Sequence, residues 1–116
     1  MPTEPQPLTL AEVVHRAVEV CDDGTSEGLN ALLERFEDAD EPVSAVEDLE
    51  LALDEAIGPD PDPPLEMARA VAVYLAYRRD QIGADAGELL QLATRAEFDD
   101  KPPEPVARWL KERGIR

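Results

Sequence analysis

Apolar residues recur along this chain at spacings of three and four, and no alternating run is long enough to specify a strand. Leu10, Val13, Val14, Ala17, Val18 and Cys21 form one such stripe. Thr9 opens it, with Glu12 three residues on, the capping-box pair whose side chains satisfy free amides at a helix start. Ser26 opens a second stripe of Leu29, Leu32, Leu33 and Phe36. Ser44 with Glu47 is the capping pair for a third, Leu49, Ala52, Leu53, Ala56 and Ile57, which Gly58 and Pro59 stop. Asp85 with Glu88 opens a fifth, Leu89, Leu92, Ala93 and Ala96. A short last helix over about 104–113 would dock through Val106, Trp109 and Leu110, and Gly114 followed by Ile115 has the form of a C-terminal cap.

The fourth helix, predicted from about 64 to 81, has a different pattern. Its stretch "ARAVAVYLAYRRD" holds eight consecutive residues, Ala70 to Tyr77, without a charge, and its apolar side chains lie all around the helix. A helix of that kind is normally surrounded by others. It is far short of the roughly 20 apolar residues that cross a bilayer, so no membrane partner is expected. Prolines draw the boundaries: "GPDPDPP" reads as a stiff, extended connector and "DDKPPEP" as a second one. The pattern therefore predicts an all-α fold, a single compact bundle of five to six short helices around a central apolar helix at about 64–81. Residues 1–8 read as a flexible arm and 9–116 as one helical domain. That domain divides into an acidic half (9–58), the proline linker (58–64) and a charge-neutral half (64–116).

Charge changes this picture more than composition does. The chain of 116 residues has a net charge of −16, with 27 acidic and 11 basic side chains. Met1 to Pro63 holds 18 of the acids and only Arg16 and Arg35 as cations, whereas Pro64 to Arg116 has nine of each sign. An acidic, lysine-poor, alanine-rich chain is what a high-salt cytoplasm or a GC-rich genome produces, because salt screens the self-repulsion that opposes compaction. The other reading of the acidic half is that it meets a basic partner. Either way, nonspecific DNA binding lacks its basic footprint. The start "MPTEPQPLTL" has neither the basic region nor the apolar run of a secretory signal, so a cytoplasmic location is expected.

Few residues carry chemistry. His15, the only histidine, shares a helix face with Glu12 and Glu19, half of the Glu-x-x-His arrangement that metal-binding bundles use. That face lies opposite the apolar stripe, so a solvated salt-bridging surface is expected and no metal. Cys21, the only cysteine, lies on the stripe and reads as a small buried hydrophobe. There is no Gly-rich phosphate loop, nucleophile elbow or calcium-loop spacing, so neither a cofactor nor an enzyme is expected. Tyr77, Arg78, Arg79, Arg95, Arg108, Trp109 and Lys111 combine the residue types that dominate interface energetics and form the candidate partner-binding set. The competing account is internal: cations of the neutral half, Arg113 and Arg116 included, neutralise the acidic half of their own fold.

The segment "YRRDQIGADAGELLQLATRAEF" followed by "WLKERGI" resembles the helix-turn-helix end of small prokaryotic antitoxin-like proteins. The resemblance covers fewer than half of the residues. It implies a DNA-associated regulator, yet "DDKPPEP" interrupts the chain where a recognition helix would continue, and that helix would be acidic. The expected function is therefore a non-catalytic, acidic helical protein that binds another protein or a second copy of itself. The alternatives are the antitoxin-like regulator and a metal- or small-ligand-binding bundle.

Overall fold

A computed structural model describes residues 8–22, 24, 26–43, 47–59, 61–78 and 81–114. Among these residues six helices follow one another: α1 (Leu10–Cys21), α2 (Glu27–Phe36), α3 (Leu49–Ile57), α4 (Pro63–Tyr77), α5 (Ala86–Phe98) and α6 (Glu104–Glu112). Among the described residues the only extended pairing is an isolated antiparallel bridge between Thr9 and Pro42. It lays the chain after α2 beside the entry to α1, where Val43 donates to the Leu8 carbonyl (2.8 Å) and Leu10 to that of Glu41 (3.0 Å). The all-α bundle expected from the pattern is the observed fold.

α4 is its axis and packs against all five other helices. Ala68, Val71, Ala72 and Leu75 on α4 are fully buried, as are Val13, Val14 and Ala17 on α1 and Leu89 and Ala93 on α5. One cluster of buried side chains draws members from all six helices. Small residues let backbones approach: a Cβ on Gly28 of α2 would lie 2.9 Å from a methyl of Leu65. The apolar run of α4 is thus core along most of its length. It emerges only at its end, where Tyr77 is 78% exposed.

α1 and α2 start on the side chains that the pattern identifies. Thr9 Oγ1 accepts from the Glu12 amide (3.2 Å) and Ser26 Oγ from that of Leu29 (3.4 Å). Three boundaries differ from expectation. α3 begins at Leu49, capped by Asp48, whose carboxylate accepts from the Leu51 amide at 3.1 Å. Aspartate caps as well as serine does, and the one closer to the buried stripe fixes the start; Ser44 lies outside the described residues. α4 starts a residue early, at Pro63, because both Pro63 and Pro64 fit a first turn that needs no amide donors. The linker is correspondingly shorter than 58–64. α4 also stops at Tyr77, not near 81, and Gln81 belongs to a separate short turn. At α5, Asp85 accepts from Gly87 at 3.0 Å, two residues on, so it makes a tight Asx-type turn and not the expected capping box. Gly58 ends α3 and Gly114 follows α6, each with φ of +78°, the left-handed conformation that glycine adopts without strain. Ile115, Arg116 and residues 1–7 of the arm lie outside the described residues.

Among the described residues no helix is long and apolar enough to cross a membrane.

Candidate interaction surface

Among the described residues three half-buried arginines tie the bundle together, and two of them were not singled out by the sequence pattern. Arg16 reaches from α1 to the turn between α4 and α5. There its Nε donates to the Ile82 carbonyl (3.0 Å) and a terminal nitrogen to that of Ala84 (2.6 Å), while the other terminal nitrogen pairs with Glu19. Arg113, just after α6, donates to the Val20 carbonyl at the end of α1 (3.0 Å) and lies over the Trp109 ring, 4.8 Å from its centre. Its Nε is buried with no hydrogen-bond partner.

Arg69 is the third, in the middle of α4. Its Nε bonds Asp54 of α3 at 2.5 Å, one terminal nitrogen bonds Glu97 of α5 at 2.7 Å, and Glu50 approaches to 4.0 Å. The guanidinium side chain is 19% exposed. Burial alone would weaken its charge, but the bonds to Asp54 and Glu97 more than offset that, so its pKa is raised. One turn earlier, Glu66 is held above the ordinary carboxylate value. Burial is the main cause, Arg69 opposes it, and the Glu97 carboxylate adds to it.

Arg69 marks the middle of a cleft. α4 is its floor, α3 one wall and α5 the other. Glu66, Arg69, Ala70, Val73, Tyr74, Tyr77 and Arg78 recur at three and four along α4 and line it, facing Glu50 and Asp54 on one side and Ala96, Glu97 and Phe98 on the other. The cleft comprises two hollows of about 340 Å³ each, both lined by Glu97. The upper hollow is lined mainly by Ala70, Val73, Tyr74, Tyr77 and Ala96. The lower one sets Asp54, Glu66 and Glu97 against the single guanidinium, above Ile57, Pro61 and Phe98. The exposed large apolar side chains among the described residues, Tyr77 and Leu51, belong to the last turn of α4 and the first turn of α3, two antiparallel neighbours.

Two members of the candidate partner-binding set lie together in the cleft. Tyr77 and Arg78 line the upper hollow. Arg95 is exposed on α5, 3.6 Å from Asp100, and Arg108 is exposed on α6, 3.4 Å from Glu104. Lys111 is exposed on α6. Trp109 is 7% exposed and docks α6 onto the core. Arg79 lies outside the described residues. Of the cations named in the internal account, Arg95 and Arg108 pair within their own half; Arg69, outside that set, pairs with the acidic half through Asp54 and Glu50. A lone arginine inside the apolar helix "PPLEMARAVAVYLAY" was the one signal for Arg69.

His15, Glu12 and Glu19 are exposed on the solvent side of α1, as their register predicts, and Cys21 is buried. Beside His15 a shallower groove of about 460 Å³ runs between α1, Leu33 of α2 and Ile82, but the nearby Arg16 is already committed to two carbonyls. No protein family model matches this chain, and no curated protein or solved structure is similar enough to it to count as a match.

Proposed function

We propose that this protein is a non-catalytic binding module that engages another protein through the α4 cleft, with Tyr77 as its anchor. The observation that carries this reading is the position of Tyr77. A tyrosine 78% exposed at the mouth of an apolar hollow presents a large, rigid group at little entropic cost. A helical core this thoroughly buried elsewhere has no structural need to leave that ring in water. The antitoxin-like regulator is less well supported, because it requires arginines on one face clear of carboxylates, whereas Arg69, Arg95 and Arg108 each pair with an acid. The acidic excess fits a high-salt cytoplasm, and the module would work there.

The test is site-specific photo-crosslinking. Tyr77 is replaced by a photo-reactive phenylalanine analogue, and His15, exposed on α1 and outside the cleft, is replaced in a second sample. After irradiation in an extract of the protein's own cells, the Tyr77 position is expected to yield a discrete adduct with another protein and the His15 position none. Equal labelling from both positions, or none from Tyr77, would refute the reading.

A further inference from the structure

We propose that the occupant of the α4 cleft is a basic amphipathic helix of a partner protein, seating an apolar side chain beside Tyr74 and Tyr77 and a lysine or arginine in the acidic hollow at Glu66. This rests on the reading of the cleft as a protein-binding surface and adds the chemistry of the partner.

Charge complementarity carries the inference. In the lower hollow Asp54, Glu66 and Glu97 face one guanidinium, so two formal negative charges are left over in a half-buried site. Glu55 on α3, and Glu47 and Asp48 just before it, are also exposed and add to the acidity of that helix. Arg69 already holds Asp54 and Glu97, so an apolar or acidic segment would seal Glu66 and the remaining excess charge away from water, at a desolvation cost. A cation placed there gives the excess charge a partner and offsets the burial that disfavours the Glu66 charge. The spacing is equally specific. Glu66 and Tyr77 are eleven residues apart on one helix face, three turns and about 16 Å. A second helix lying along α4 meets both hollows with an anchor and a cation eleven positions apart, the i, i+4, i+7, i+11 reading of helix-in-groove recognition. A second copy of this chain would bring a further net charge of −16 to an already acidic face.

The experiment uses the whole protein and two synthetic helical peptides of identical composition and charge. One carries leucine and arginine eleven positions apart on one face. In the other the leucine is moved to the opposite face. By fluorescence anisotropy the first peptide is expected to bind about tenfold tighter than the second. Tyr77→Ala should abolish that preference. Glu66→Gln should weaken the first peptide about tenfold and flatten the salt dependence of its binding. His15→Ala should change nothing, and circular dichroism confirms that the variants fold. Equal binding of the two peptides, or indifference to both cleft variants, means mere attraction to an acidic surface and overturns the proposal. So does spermine that displaces the peptide at equal charge concentration, or Tyr77-dependent self-association that the peptide fails to compete. A photo-adduct from Tyr77 whose partner segment is not basic would sink this inference and leave the binding reading intact; no adduct at all sinks both.

Discussion

At the scale of single residues, burial decides which side chains serve the fold and which remain available. Trp109 has the chemistry of an interface anchor, but at 7% exposure it holds α6 to the core, and Arg113 covers its ring. Its emission should be blue-shifted, and Trp109→Ala should cost about 3–5 kcal/mol, as for other large-to-small core changes. Red-shifted, easily quenched emission together with an unchanged melting temperature would contradict that placement. Glu66 makes the opposite kind of prediction. Burial raises its pKa in the folded state, so its charged form is worse off folded than unfolded. Its contribution to stability is therefore fully present below the unfolded glutamate pKa and is lost as pH rises through the folded value. Glu66→Gln, which mimics the protonated acid, should be more stable than the native protein at neutral pH. In urea titrations that advantage should shrink as pH falls toward the carboxylate range. An advantage that grows on acidification would mean that the attraction to Arg69 outweighs burial.

At the scale of elements, the helices were legible because most carry an apolar stripe of their own and five of the six a side-chain cap. The stripes at 10–21, 29–36 and 89–96 became α1, α2 and α5 with little change, since the residues that face the core set the register locally. The ends were less legible where several caps compete within a few residues, as at the start of α3, or where prolines permit more than one start, as at α4. Least legible was the coupling between elements. Ser26 caps α2, and its hydroxyl also donates to the Asp62 carboxylate at 3.0 Å, while Asp62 accepts from the Leu65 amide at 3.1 Å and caps α4. Thirty-six residues of chain separate them, so nothing in local spacing marks the pair. Ser26→Ala and Asp62→Ala should each cost about 1–2 kcal/mol, the range of lost helix caps. The double variant should cost clearly less than the sum, because each single change already breaks the shared bond. Strict additivity in thermal or chemical denaturation would show that the two caps act alone. The α4 cleft was hidden for the same reason: Tyr77 and Arg78 could be picked out by residue type, but their neighbours Glu50 and Glu97 come from helices far away in sequence.

At the scale of the whole molecule, the question is how a chain with a net charge of −16 stays compact. Ion pairs answer only part of it. Arg69 draws α3 to α4 and α5, and Arg16 spends its charge largely on backbone carbonyls and Glu19. Arg95 and Arg108 neutralise acids that lie in the balanced half. Most acids of the first half are exposed along α1, α2 and α3, among them Glu12, Glu19, Glu27, Glu34, Glu37, Glu50, Asp54 and Glu55. These helices pack against one another and against α4, so their charges repel within the screening distance of dilute buffer, about 10 Å at 0.1 M salt. At molar salt that distance falls to about 3 Å and the repulsion between neighbouring helices is largely removed. The same salt weakens the exposed Arg95–Asp100 and Arg108–Glu104 pairs, but pairs of that kind contribute only about 0–1 kcal/mol each. Arg69, shielded between α3 and α5, should lose less. Relief of repulsion should therefore win, and the melting temperature should rise steadily as potassium chloride is raised to molar levels. The gain should be kinder to the acidic half: hydrogen exchange in α2 and α3 should slow more with added salt than exchange in α5 and α6. A melting temperature that stays flat or falls over that range would mean that the remaining ion pairs, not screening, hold the acidic half in place.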